Sequence, residues 1–226
     1  IPSELPQQDW DQFTNSFVTN IGDPLHSASD MITNPGESVE LKAKFSYGLV
    51  SKDLEEESIQ VWIDNCTQTL RRLGTATTND DGRIQFKLEG AETPPVGVYK
   101  VYFRVPGDNS STTSVLRVVP EETKFVVFDI DETLSSEPST GTLRDIISDG
   151  YNEAHRPGAI AATNIRRFHQ HYQIIYLTAR PYLLTDHTRD WLDRHGFAPG
   201  TLHLVQDLTD MVPMDSRAGD YKYDYL

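Results

Sequence analysis

The 226-residue chain carries 34 acidic against 20 basic residues, a formal charge of −14, and its 37% hydrophobic content is enough for packed cores rather than disorder. The acidic surplus argues against a DNA or RNA partner and against an anionic membrane, except where basic residues gather, as at Arg166-Arg167, a pair read as solvating a helix face. No apolar run is long enough to span a bilayer, the lone Cys66 cannot form an internal disulfide, and the histidines lack zinc spacing.

These features leave a soluble or peripheral protein of open localisation. The start at Ile1 rather than Met implies processing or trimming, so a secreted or periplasmic location is among the expectations. The sequons at Asn65 and Asn109 matter only if the source glycosylates.

Residues 1–35 read as an N-terminal segment, partly helical. Trp10, Phe13 and Phe17 fall at helix-like spacing, as packing residues do, and a membrane-facing stripe is the alternative. Residues 36–120 read as an all-β, Ig-like sandwich. Val39, Leu41, Ala43 and Phe45 alternate with polar residues, as do Ile59, Val61 and Ile63, and Tyr99, Val101, Phe103 and Val105. Period-two runs mark antiparallel strands with one wet face. Asn34-Pro35-Gly36, Pro94-Pro95-Val96-Gly97 and Pro106-Gly107-Asp108-Asn109 supply the turns. Asn79-Asp80-Asp81-Gly82 reads as a hairpin joining two strands, and turn chemistry accounts for its acids without a calcium ion. No ligand or protein partner of the sandwich is legible.

After the Pro120–Thr123 link, residues 121–226 change character. The apolar run Phe125 to Phe128 leads into Asp129-Ile130-Asp131-Glu132-Thr133. A strand apolar on both faces suits a parallel sheet, which binds ligands beyond its carboxyl ends. Asp129 and Asp131, two residues apart, start on the same side. Such a pair can provide a nucleophile and a proton donor for phosphoryl transfer through an aspartyl-phosphate. Because two carboxylates repel a phosphate ester, a divalent cation is needed, and oxygen ligands favour Mg²⁺. A second strand, Gln173 to Leu177, ends in Thr178-Ala179-Arg180, a hydroxyl and a guanidinium suited to phosphate oxygens.

Between them, Leu143 to Ser148 is too short for a full cap domain, which leaves the pocket open to a lipid headgroup. Arg156 reads as a surface residue, with a phosphate contact as the alternative. Helices are expected over Ala159 to His171 and Leu184 to His195, the latter closed by Gly196. The alternation of strands and helices supports an α/β doubly wound sheet.

The Asp129 to Thr133 segment resembles the first signature of haloacid-dehalogenase-like phosphatases, and Leu177-Thr178-Ala179-Arg180 resembles the second. Ile174 to Val205 is similar to the lipin family in its Thr188-Arg189 pair, its Trp191-Leu192 step and its closing Gly200-x-Leu202-x-Leu204 strand. Related LNS2 domains occur in phosphatidylinositol-transfer proteins of the retinal-degeneration type. The likeness runs from about Lys124 onward.

The resemblance implies a Mg²⁺-dependent phosphatidate phosphatase. Asp129 would be nucleophile and metal ligand, Asp131 the general acid/base that also gives the metal its backbone carbonyl, and Thr178 the phosphoryl-binding hydroxyl. Thr133, Ala179 and Arg180 would line the substrate. Lys222 stands where the family has the lysine that neutralises the phosphoaspartate, although a solvated terminal charge is an equal reading. The family's last acidic strand does not occur before Leu226, and Asp207 and Asp210 read as loop or cap acids. The chain is thus expected to be a fragment or to have an incomplete metal site. The alternative function is a catalytically silent phosphatidate-binding module that keeps the membrane contact peripheral; a small-metabolite phosphatase is the third.

Overall fold

The alternating runs of the first half become strands with one buried face. The computed structural model describes residues 5–48, 51–64, 70–131, 133–135 and 161–205. The chain divides into two units, Ile1–Glu121 and Glu122–Leu226.

In the first unit the strands are β1 (Ser27–Ala28), β2 (Met31–Thr33), β3 (Val39–Lys44), β4 (Ser46–Tyr47) and β5 (Lys52–Asp53). They continue as β6 (Ser58–Asp64), β7 (Leu70–Thr77), β8 (Arg83–Leu88), β9 (Gly97–Arg104) and β10 (Ser111–Val118). One sheet has the order β1-β3-β8, the other β2-β10-β9-β6-β7, and β4 pairs with β5. The pairings are antiparallel except β2 with β10. Leu41, Phe45, Ile59, Val61, Phe103 and Leu116 are buried in a single core, making the unit a β-sandwich. Strands already begin at Ser27, so part of the segment expected to precede the sandwich belongs to its sheets.

The Asn79–Gly82 turn does not join a hairpin. β7 pairs with β6 in the five-stranded sheet, whereas β8 pairs with β3 in the other. The turn chemistry is real: Asn79 Oδ1 accepts the Asp81 and Arg83 amides at 3.1 and 2.8 Å, and Gly82 has φ of 66°. The same chemistry serves a crossing from sheet to sheet. Gly74 lets Phe86 lie against the β7 backbone, since a Cβ there would meet the ring at 2.8 Å.

The aromatic trio of the N-terminal segment splits. Trp10 packs on the core, its ring over Gly107. Phe13, just before the short helix α1 (Asn15–Val18), and Phe17, within it, are 77% and 58% exposed and meet edge to face at 5.2 Å. Arg104, buried at the end of β9, fastens this segment to the sheet. It donates to Gln60 Oε1 at 2.9 Å, to the Pro6 carbonyl at 2.7 Å, to the Leu5 carbonyl at 3.2 Å and to Asn109 Oδ1.

A second polar cluster ties His26 to the turn after β9. His26 Nδ1 accepts the Ser46 amide at 3.3 Å, which leaves Nε2 as the donor to Ser110 Oγ at 2.8 Å. Ser110 and Tyr47 hydroxyls then donate to Asp108 at 2.6 and 2.8 Å. With its imidazole a donor, this Ser-His-Asp set has no base for the serine, and its work is structural. Burial lowers the His26 pKa to about 4 against the opposing pull of Asp108.

The second unit is built from β11 (Phe125–Asp129), a helix α2 (Ala161–His169), β12 (Gln173–Pro181), a helix α3 (Thr185–Arg194) and β13 (Thr201–Val205). The strands are parallel in the order β11-β12-β13. Ile165 of α2 and Trp191 and Leu192 of α3 share a core with Ile174, Tyr176, Leu202 and Leu204, alternate residues on one face. Among the described residues both helices thus lie on that face, and the two-sided winding expected of a doubly wound sheet is not displayed. Ile175, Leu177 and Val205, on the other face, are also buried. Tyr176 donates to the Ala198 carbonyl at 2.6 Å, and Gly196, with φ of 67°, follows α3 as its glycine stop.

Candidate functional site

β11 is apolar until Asp129, which closes it opposite Leu177 of β12. Parallel pairing therefore places Asp129 beside the residue that precedes Thr178. Past the strand the chain turns on the Ile130 carbonyl, which accepts the Leu134 and Ser135 amides at 2.9 and 3.0 Å. This turn buries Ile130 and leaves Asp131 half-buried at the sheet's carboxyl edge.

β12 does not stop at Leu177. It continues through Thr178, Ala179 and Arg180 to Pro181, with a register irregularity against β13 between Leu177 and Pro181. Strand alternation sends Thr178 and Arg180 to one face and Ala179 to the other. Both of the former reach Asp131. Thr178 Oγ donates to Asp131 Oδ2 at 2.8 Å. Arg180 Nε lies 3.1 Å from each carboxylate oxygen, and its Nη2 lies 2.8 Å from Oδ1. Thr178 is fully buried and Arg180 is 2% exposed, whereas 18% of the Asp131 side chain meets solvent.

Arg180 is itself held from behind. Its Nη1 donates to Thr188 Oγ at 3.3 Å, and its guanidinium lies 5.8 Å from the centroid of Trp191. Thr188 and Trp191 are three apart on α3 and both fully buried. Sequence reasoning gave neither a role, although both stand in the stretch that carries the lipin-like resemblance.

Asp131, Thr178 and Arg180 are thus brought together, with Asp129 on the adjacent strand end. Thr133 is exposed in the turn, and Ala179 is half-buried on the opposite face. Lys222, Asp207, Asp210, Arg156 and Glu132 lie outside the described residues. Among the described residues no group of three or more His, Cys, Asp or Glu is placed to hold a cation. Mg²⁺ takes one or two protein carboxylates and completes its shell with water and phosphate. The resemblance assigns Asp129 and the Asp131 backbone carbonyl to such a donor set; the Asp131 side chain is committed to Thr178 and Arg180.

Comparison with known proteins covers both units. Residues 24–118 match the family model "PITM 1-3, beta-sandwich domain", and residues 126–226 match "PITM 1-3, LNS2 domain". The chain is 27% identical over 209 residues to the Protein retinal degeneration B of Drosophila melanogaster, covering 90% of this chain and 16% of that protein. It is 29% identical over 211 residues to the human Membrane-associated phosphatidylinositol transfer protein 1, covering 91% and 16%. With the human Membrane-associated phosphatidylinositol transfer protein 3 it shares 30% identity over 188 residues, covering 81% and 18%. The chain therefore spans less than a fifth of the length of these relatives. Two of them are named as membrane-associated, and a secreted or periplasmic location gains no support from them. No described helix is long and apolar enough to cross a membrane. The chain thus carries a β-sandwich domain followed by an LNS2 domain of the PITM 1-3 kind, homologous to the membrane-associated phosphatidylinositol transfer proteins.

Proposed function

We propose that the LNS2 unit recognises the phosphate of a phospholipid headgroup, most simply phosphatidate, at the carboxyl edge of β11 and β12, and so contributes a peripheral membrane contact. One observation carries the reading: a buried hydroxyl and a buried guanidinium, Thr178 and Arg180, converge on a single partly exposed anion. Donors arranged around one anionic group are the apparatus of phosphate recognition. The names of the two human relatives, phosphatidylinositol transfer proteins 1 and 3, support a lipid role for those larger proteins.

Binding without turnover is favoured over hydrolysis by the engagement of Asp131. Its carboxylate is taken up by Thr178 and Arg180 rather than turned outward towards a leaving group. Phosphatase activity through Asp129 is kept as the second reading because both acids of the signature are present at the strand end. Mg²⁺ held by Asp129 would offset the repulsion between that carboxylate and an incoming phosphate.

Co-sedimentation with phosphatidylcholine vesicles, with and without phosphatidate, tests the binding, and phosphate release with and without Mg²⁺ tests turnover. Retention on phosphatidate vesicles that Thr178→Val abolishes, without phosphate release, is the expected outcome. Equal retention on both vesicle types refutes the reading. Metal-dependent release lost in Asp129→Asn establishes the hydrolase instead.

A further inference from the structure

We propose that Asp131 is a specificity gate: its carboxylate occupies the phosphate subsite made by Thr178 and Arg180 and yields it to a phosphate monoester but not to a phosphodiester. The inference rests on the phosphate-site reading above and adds the ligand class and the residue that enforces it.

Donors and acceptor differ in how they are mounted. Thr178 and Arg180 stand on β12, within the sheet, and the guanidinium is further fixed by Thr188 and by the ring of Trp191. Asp131 stands past the end of β11, on a turn. It is also the one member of the trio that solvent reaches appreciably, so an incoming anion meets it first. If the carboxylate turns away, the donors stay where they are, aimed at the space it leaves.

The exchange has a charge rule. A carboxylate offers one negative charge over two oxygens. A monoester near neutral pH carries about 1.5 to 2 charges over three oxygens, and its Coulombic hold on a buried guanidinium is correspondingly larger. A diester carries one charge, as the carboxylate does, and must still displace it. The internal anion therefore sets a threshold that a monoester passes and a diester does not. Without it, the same donors would accept either.

The test compares the wild-type chain with Asp131→Asn, which retains acceptor atoms for Arg180 and Thr178 but removes the competing charge. Phosphatidylcholine vesicles are doped with phosphatidate, a monoester, or with phosphatidylglycerol, a singly charged diester. Methyl phosphate and dimethyl phosphate serve as soluble arms that separate a headgroup requirement from phosphate alone. The wild type should prefer the monoester by roughly tenfold or more in both arms. Asp131→Asn should bind both classes more tightly, with the preference contracted to about threefold or less. Tighter binding in the vesicle arm only assigns the gate to a lipid headgroup; tighter binding in both assigns it to phosphate itself. An undiminished preference, or weaker monoester binding, in the folded variant overturns the gate while leaving the phosphate site standing. A wild type that binds neither class overturns the two together, and one that binds both classes equally overturns the gate alone. Should Asp131→Asn fail to fold, the Arg180 side-chain Nε–H resonance of the wild type decides. It should shift on adding methyl phosphate and not dimethyl phosphate, and the absence of a shift under saturating monoester refutes the proposal.

Discussion

Arg104 of the first unit and Arg180 of the second are both almost fully buried, and the two are spent differently. Arg104 of the sandwich donates to neutral acceptors, the side chains of Gln60 and Asn109 and the carbonyls of Leu5 and Pro6. Arg180 of the LNS2 unit donates to a charged side chain that remains within reach of solvent. Acceptors that belong to the backbone cannot be exchanged without undoing the chain that carries them, so Arg104 is a fastening. A carboxylate on a turn can be exchanged for another anion, so Arg180 is a site. The same residue type at the same burial is structural or functional according to whether its partner can leave.

The comparison breaks hardest at Arg180. Arg180→Met removes the guanidinium from a largely buried pair, leaving Asp131 with the Thr178 hydroxyl alone and Thr188 without its donor, a change that should cost about 3 kcal/mol in the second unit. The fully buried Trp191 reports that unit's urea transition, and the first unit's transition should not move. Vesicle retention should be lost with it. Full stability of Arg180→Met would mean that the pair is not what holds the edge of β12.

A pH titration addresses the sandwich. Folding lowers the His26 pKa from the ordinary 6.5 to about 4, through burial first. The neutral ring is therefore favoured in the folded state, and its contribution is complete above pH 6.5. It is lost as the pH falls from 6.5 towards 4, below which both states are protonated. The loss should be on the order of 2 to 3 kcal/mol. Urea unfolding across this window should show the slope in the wild type and not in His26→Gln. An unchanged slope in that variant would place the proton elsewhere.

Arg104→Met comes next, at about 2 kcal/mol, since it strands the Gln60 and Asn109 acceptors and two carbonyls that water can still partly reach. Its signature is local. Limited proteolysis should cut within residues 5–18 well before the sheets open, and phosphatidate binding should be unchanged.

How much of this was legible beforehand follows from the range of the forces involved. Alternation along β3, β6 and β9 is a local pattern, and it gave the sandwich because each apolar residue need only find the core, not a particular partner. The Asp129-x-Asp131 and Thr178-Ala179-Arg180 pairs were visible for the same reason, each at the end of an apolar run. The Asn79–Gly82 turn was misjudged because its hydrogen bonds close on themselves and are indifferent to which sheet the next strand joins. Long-range polar pairing was invisible. Nothing within ten residues of Arg104 announces the carbonyls of Leu5 and Pro6, and Arg180 looks from sequence like a residue reserved for phosphate. The structure gives its guanidinium to Asp131 first, which turns a simple ligand into one side of a competition.

The smallest expected effect sharpens the contrast most. Thr188→Val keeps the size of the side chain on α3 and deletes only the acceptor for Arg180 Nη1, a single bond of 3.3 Å. The stability cost should be about 1 kcal/mol. If Arg180 were a fastening like Arg104, that would be the whole effect. As a site, it should also lose orientation: the Trp191 ring still covers the guanidinium, but its plane is no longer fixed against α3, and monoester affinity should fall about two- to fivefold. Gln60→Leu, which deletes one acceptor of Arg104 in the same way, should match the stability change and leave affinity untouched. Equal effects of the two variants on binding would show that partner exchange is not what separates the two arginines.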